Sequence, residues 1–177
     1  MTSTTPGGRL RRFGYRMFYT LPPRWRRVLV RLGTQKYVVG AVVLLRDSQA
    51  PGPGRLLLLR QPPGNGWSLP AGLMNRGESP VTAAARELAE ESGVRLDVDA
   101  FTPAVPCAVL HVRGRWIDMV YEASVPAEST VLSVDGAEVL EAQFHRLDAL
   151  PPLTLATARL LSHYGIGPYA DYPEARV

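Results

Sequence analysis

The stretch 72–94, "GLMNRGESPVTAAARELAEESGV", contains Glu78, Glu87, Glu90 and Glu91, and the last three fall within five positions beside Arg86. On a helix, at about 100° per residue, those three carboxylates share an arc of about 100°. Val81, Ala85, Leu88 and Ala89 fall on roughly the opposite side. One face can therefore pack on a sheet while the other presents acids. Like charges three and four residues apart repel by a few tenths of a kcal/mol each, and Arg86 with Glu90 offsets only part of this. Two readings follow. The acids form an ordinary solvated face, which charge-rich helices often have. Alternatively, they hold an oxygen-seeking divalent cation such as Mg²⁺, which takes few protein ligands and shares its shell with substrate phosphates.

The neighbouring elements must position that helix. Ser79 suits an N-cap, Pro80 the first helical position and Gly93 the left-handed exit. Upstream, "YVVGAVVLLR" (37–46) reads as a buried strand, "DSQAPGPG" as a turn and "RLLLLRQ" (55–61) as the returning strand. "PPGNG" is a loop, and "WSLPAG" (67–72) is an extended piece leading into the acidic stretch. Further strands are expected within 94–98, 103–112 and 115–125. A loop follows from 125 to 142, then a short strand "QFHRL", a turn "DALPPL" and a closing amphipathic helix "TLATARLLSHYG". Residues 166–177 contain two prolines and read as a loose tail. Strands interleaved with two helices imply a layered α+β fold.

The 177 residues carry a net charge of +4, but this average hides two parts. Residues 1–36 hold nine Lys or Arg and no acid, whereas 37–177 hold all sixteen acids. "MTSTTPGG" is polar and turn-rich, and reads as disordered. "PRWRRVLVRLG" (23–33) reads as a short helix with Trp25, Val28, Leu29 and Leu32 on one face and Arg24, Arg27 and Arg31 on the other. This leader admits several roles: packing on the domain or across a homodimer, an anionic membrane surface or RNA contacted through residues 9–32, or organelle targeting. Cys107 is the single cysteine, so no disulfide forms within the chain. That suits a reducing compartment, and a cytoplasmic location is expected. The apolar run Tyr37–Leu45 is too short to span a bilayer. The expected organisation is a basic extension over 1–36, one folded domain over 37–165 and a tail over 166–177.

The wider spacing separates the two readings of the acids. Gly72, Glu78, Arg86, Glu87, Glu90, Glu91 and Gly93, with Leu88 and Val94 at the apolar places, resemble the signature of the Nudix hydrolase family at every fixed position. Seven such matches by chance are roughly a one in 10⁸ event per window. The resemblance is firm over 72–94 and follows the order of elements more loosely over 37–165.

It implies a Nudix fold, a mixed sheet sandwiched between helices, and hydrolysis of a nucleoside diphosphate linked to another moiety with Mg²⁺ or Mn²⁺. By position, Glu87, Glu90, Glu91 and the carbonyl of Ala71 would bind metal, with Glu87 a candidate base. Arg86 would orient a carboxylate, and Glu78 would support the helix or the metal shell. Many relatives carry Gly at 71 and an acid at 75, where this chain has Ala71 and Asn75, so the local charge is lower by one. Glu138 and Glu141 stand where relatives often place a further acid as base or ligand. Arg60 and Trp67 are candidates for substrate contact, although packing is the favoured reading of Trp67. Cys107, on an apolar strand, reads as core, and His111, His145 and His163 have no recognisable metal-site spacing.

Marks of known subfamilies do not appear. Val109 stands where ADP-ribose enzymes tend to carry proline, and Leu110, His111 and Val112 where dinucleoside polyphosphate enzymes tend to carry tyrosine. Nucleoside triphosphates, nucleotide sugars and non-nucleotide diphosphates such as prenyl diphosphates remain open, with a nucleotide favoured. A Nudix-fold nucleotide sensor without turnover is the rival class.

Overall fold

The computed structural model describes residues 6–111 and 114–172, and the chain divides into two compact units, Met1–Tyr37 and Val38–Val177. The first unit holds α1 (Pro6–Thr20) and α2 (Pro23–Gly33). Residues 6–8 are helical rather than disordered, because Pro6 occupies the first turn, where its missing N–H leaves no intrahelical bond unmade; residues 1–5 lie outside the described residues. In α2, Pro23 starts the helix and the Thr34 N–H donates to Val30 O at 3.0 Å to finish it. None of the residues of α2 is buried. Among the described residues, no helix is long and apolar enough to cross a membrane.

The second unit is built on one mixed sheet. Its strands are β1 (Val38–Asp47), β2 (Arg55–Arg60), β3 (Trp67–Ser68), β4 (Ala71–Leu73), β5 (Thr102–His111), β6 (Trp116–Val125) and β7 (Glu141–Arg146). The main path runs β3-β2-β1-β6-β5, with β4 paired to β1 and β7 to β2. The β1–β6 pair is parallel, with Gly40 opposite Asp118 and Val42 opposite Val120, and the other pairs are antiparallel. β1 and β2 are apolar at nearly every position because both faces of the sheet are covered. Ala41, Val43, Leu45, Leu57 and Leu59 face α3 (Pro80–Ser92), while Val42, Leu44, Leu56 and Leu58 face α4 (Leu155–Ser162). The fold is therefore α+β, a mixed sheet between helices.

Three further expectations are corrected. Residues 94–98 form no strand: no described pairing involves them, and Val94 drops into the core on the α3 side before a 3-10 turn at Val98–Ala100. The start of the tail is not loose: Ile166 packs among the residues under α4, and its N–H donates to Leu161 O at 3.1 Å. Cys107 lies exposed on β5 rather than in the core, because the irregularity between Pro103 and Ala108 takes it out of the ladder. The expected strand position 112 and the end of the tail, 173–177, lie outside the described residues.

Candidate active site

Gly72 sits in β4 opposite Ala41, and α3 crosses the same face. A Cβ at Gly72 would run into the Glu87 carboxyl, so only glycine lets the two come together. The helix is anchored at its ends. The Thr82 N–H donates to Ser79 Oγ at 3.2 Å, and Gly93 takes the left-handed exit at φ 77°. The buried face of α3 is Ala83, Ala84, Leu88, Glu91 and Ser92. Leu88 is buried as expected and Val81 and Ala85 pack at the edge of this face, but its centre is Ala83 and Ala84, whose small side chains let the helix lie close against β1 and β4. This packing places the three acids in different surroundings. Glu91 points inward and is 9% exposed, whereas the Glu90 side chain is 59% exposed.

Arg86 organises the outer part. Its Nε and Nη2 donate to the two oxygens of Glu78 at 3.0 Å each, and Nη2 also donates to Leu73 O at 2.9 Å. Its Nη1 donates to Glu87 at 2.7 Å and to Glu90 at 3.0 Å. These contacts raise the pKa of Arg86, Glu78 contributing most. The fork geometry of one guanidinium makes this possible, as no ammonium could. Glu78 accepts in addition from the Asn75 N–H at 2.8 Å, and the Arg86 bond holds its carboxyl below the usual range.

Glu91 has no cation among its hydrogen-bond partners. Its Oε1 accepts from Gln61 Nε2 at 2.7 Å and its Oε2 from the Ala71 N–H at 2.8 Å. Burial pushes its pKa up to about 7, and the charges of Glu87 and Glu138 push in the same direction. Gln61 is itself held, since its Oε1 accepts from Ser68 Oγ at 3.2 Å. Gln61 and Ser68 were not singled out from sequence; they are ordinary polar residues whose importance comes only from lying under Glu91.

Glu138 and Glu141 separate. Asp135 accepts the backbone N–H groups of Ala137, Glu138 and Val139, which fixes the loop carrying Glu138, and the charge of Glu138 reaches Glu91. Glu141 instead pairs with Arg60 at 2.8 Å. Arg60 lies 6.0 Å from the centroid of Trp67, and Trp67 packs edge-on against His145 with centroids 4.4 Å apart. Arg60, Trp67 and Glu141 thus form one cross-strand cluster on β2, β3 and β7.

A cleft of about 300 Å³ opens on the α4 side of the sheet. It runs across Val42 on β1, from Gln61, Ser68 and Ala71 to Trp116 and Asp118 on β6, with Thr154, Thr157 and Leu160 over it. Arg60, Trp67 and Glu141 do not line it. Gln61 and Ala71 belong both to the cleft and to the support of Glu91. The sequence did contain a signal for the far wall: Asp118 is an acid on the sheet face where the alternation through Val120 calls for an apolar residue.

The acids do not stand as a ready cage. Among the described residues, no group of three or more His, Cys, Asp or Glu is gathered for an ion. Arg86 holds Glu87 and Glu90, so a cation must compete with one guanidinium bond to each. The donor set still fits a hard divalent cation. Glu91 is a buried carboxylate supported only by neutral donors, and Glu87 adds a second negative charge close by.

Comparison with known proteins agrees with this architecture. The NUDIX domain family model matches residues 36–164. A MutT-like protein of Streptomyces ambofaciens is 45% identical over 64 residues, which are 36% of this chain and only 38% of that protein's length. The crystal structure of a MutT NUDIX hydrolase from Burkholderia pseudomallei is 30% identical with a TM-score of 0.55, covering 70% of this chain and 94% of that one. The NUDIX domain of Shewanella oneidensis NrtR, solved with ADP ribose, superposes with a TM-score of 0.58 over 85% of this chain and 95% of that one; at 17% identity this likeness concerns the fold. The acidic helix over a glycine strand, the mixed sheet and the family match spanning both point one way: the chain belongs to the NUDIX family.

Proposed function

We propose that this chain hydrolyses the diphosphate linkage of a nucleoside diphosphate joined to another moiety, by attack of water on phosphorus, with Mg²⁺ or Mn²⁺. The observation that carries the reading is the buried Glu91 carboxylate, supported by neutral donors alone beside the carboxyl of Glu87. A buried carboxyl with no cationic partner takes up either a proton or a cation, and a divalent ion beside Glu87 would supply the second. Glu87, Glu90, Glu91 and the Ala71 carbonyl would hold it. The bound ion would neutralise the diphosphate and lower the pKa of the attacking water.

The side chains divide the remaining work. Arg86 fixes Glu78, Glu87 and Glu90 in one array and has no free fork to bind substrate. Gln61 and the Ala71 N–H orient Glu91. Glu138 is the base candidate the geometry favours. Its side chain makes no hydrogen bond among the described residues, whereas Glu87 accepts from Arg86 and Glu141 is paired with Arg60. A carboxylate without a cationic partner is sterically free to approach the attacking water and take its proton. The small-molecule partner is therefore a diphosphate, and a nucleotide is the favoured class.

Product release should be followed over nucleoside triphosphates, ADP-ribose, nucleotide sugars, dinucleoside polyphosphates and prenyl diphosphates, with Mg²⁺, Mn²⁺ or chelator. The expected result is chelator-sensitive turnover of one class and none with Glu91→Gln. No turnover of any substrate, with a nucleotide still raising the melting temperature, would instead support a sensor.

A further inference from the structure

The far end of the cleft holds a side-chain cluster that hydrolysis does not require. Trp116 and Asp118 are two residues apart on β6 and so share a face of the sheet, and both line the cleft. His111, paired with Trp116 across β5 and β6, stacks on its ring with centroids 4.7 Å apart and planes 29° apart. The same His111 donates from Nε2 to Asp118 Oδ2 at 2.8 Å. One histidine therefore fixes both a flat aromatic surface and a carboxylate. Asp118 Oδ1 has no hydrogen bond among the described residues. It lies over Gly40, where a Cβ would come within 3.2 Å of it. The Asp118 side chain is 18% exposed, so an acceptor oxygen is presented at the cleft wall.

A carboxylate there repels phosphate, and on the hydrolase reading a diphosphate lies at the other end, where Gln61 and Ala71 adjoin the proposed metal site. The group reaching Asp118 must be uncharged or cationic and must donate a hydrogen bond. The adjacent indole asks for a flat group. The volume of about 300 Å³ lies at the small end of ligand pockets.

We propose that Trp116 and Asp118 form a nucleobase subsite that selects bases presenting an exocyclic amine, as adenine and cytosine do, over their keto counterparts. The inference rests on the hydrolase reading only for the direction in which the substrate lies. Binding of nucleoside monophosphates tests it without turnover. Titration calorimetry of the full chain should show AMP binding about tenfold more tightly than IMP, and CMP than UMP. Each pair exchanges the amine for a carbonyl, and in the same pose that oxygen would face the Asp118 carboxylate, acceptor against acceptor, with no hydrogen bond made. Asp118→Asn should bring both ratios to one or below, because His111 holds the amide oxygen and turns its NH₂ toward the base. Trp116→Leu should weaken all four ligands and leave the ratios standing, which separates stacking from hydrogen bonding.

Equal affinities in the wild-type chain, or ratios unchanged in a folded Asp118→Asn variant, overturn the subsite. Tripolyphosphate, which has no base, keeps the two readings apart. Its metal-dependent hydrolysis together with base-blind binding leaves the hydrolase and removes the subsite. Base-selective binding with no turnover of any substrate does the reverse.

Discussion

α2 and α3 begin alike and end differently. Each has proline in the first turn, an apolar stripe and an arginine-bearing polar face. In α3, Ala83, Ala84 and Leu88 are buried, and Arg86 gathers Glu78, Glu87 and Glu90. In α2 no residue is buried, and no described salt bridge involves any of its arginines, the acids all lying beyond residue 36. Local signals sufficed to form both helices. What distinguishes them is what surrounds them: α3 meets a sheet with a glycine placed under a carboxylate, and an arginine there becomes a structural hub. The arginines of α2 carry charge without such partners.

The largest expected effect falls on the inward acid. Glu91→Gln should lower turnover by at least about 10²-fold, since even residues supporting a metal ligand commonly matter by 10–100-fold. The fold should survive, because Gln61 can turn its amide to pair with the new one. Steady-state kinetics beside a melting curve decides this, and retained turnover would break the assignment of α3 as the catalytic helix. Next, Glu138→Gln should reduce kcat by about 10²–10⁴-fold with metal affinity kept, the range for loss of a general base.

Arg86→Lys and Leu88→Ala test α3 as a packed element. Lysine cannot fork to three carboxylates, and the variant should lose about 3 kcal/mol of unfolding free energy. Leu88→Ala should lose about 2–5 kcal/mol, the usual range for a buried leucine. The matching change in α2, Leu29→Ala, should stay within about 0.5 kcal/mol. Urea unfolding measures all three; comparable losses at Leu29 and Leu88 would erase the contrast between the helices.

The dependence on pH separates two of the three acids of α3, Glu91 and Glu90. The pKa of Glu91 is raised in the fold to about 7, above its ordinary value of 4.5. The folded state therefore holds the proton more tightly than the unfolded one. In chelator, this contribution to stability is fully present below about pH 4.5 and is lost as pH rises through about 7. The whole swing is on the order of 3 kcal/mol, at about 1.4 kcal/mol per unit. Melting temperatures in chelator should fall over that window in the wild type and stay flatter in Glu91→Gln, while Glu90→Gln should keep the wild-type slope. Added Mg²⁺ should flatten the wild-type curve, because a cation compensates the charge.

Much of this was legible from residue order. The glycine and acid spacing over 72–94 identified the family resemblance, and the continuous apolar runs at 37–46 and 55–61 announced strands covered on both faces. The caps Ser79, Pro80 and Gly93 bounded α3 because capping is decided by neighbours in the chain. Residues 94–98 misled, since an alternating apolar and charged stretch becomes a strand only where an edge is available to pair with it. Glu91 shows the boundary most clearly. Helical spacing grouped it with Glu87 and Glu90, but only the packing of two alanines against β1 and β4 turned it inward onto Gln61 and the Ala71 N–H. The same holds for Trp116, Asp118 and His111. The sequence by itself determined the acidic helix, its ends and the family to which it belongs, because those depend on short-range spacing. The tertiary structure alone decided which acid is buried, which late acid reaches it and what lines the cleft, because these depend on strand register and on side chains brought together from opposite parts of the chain.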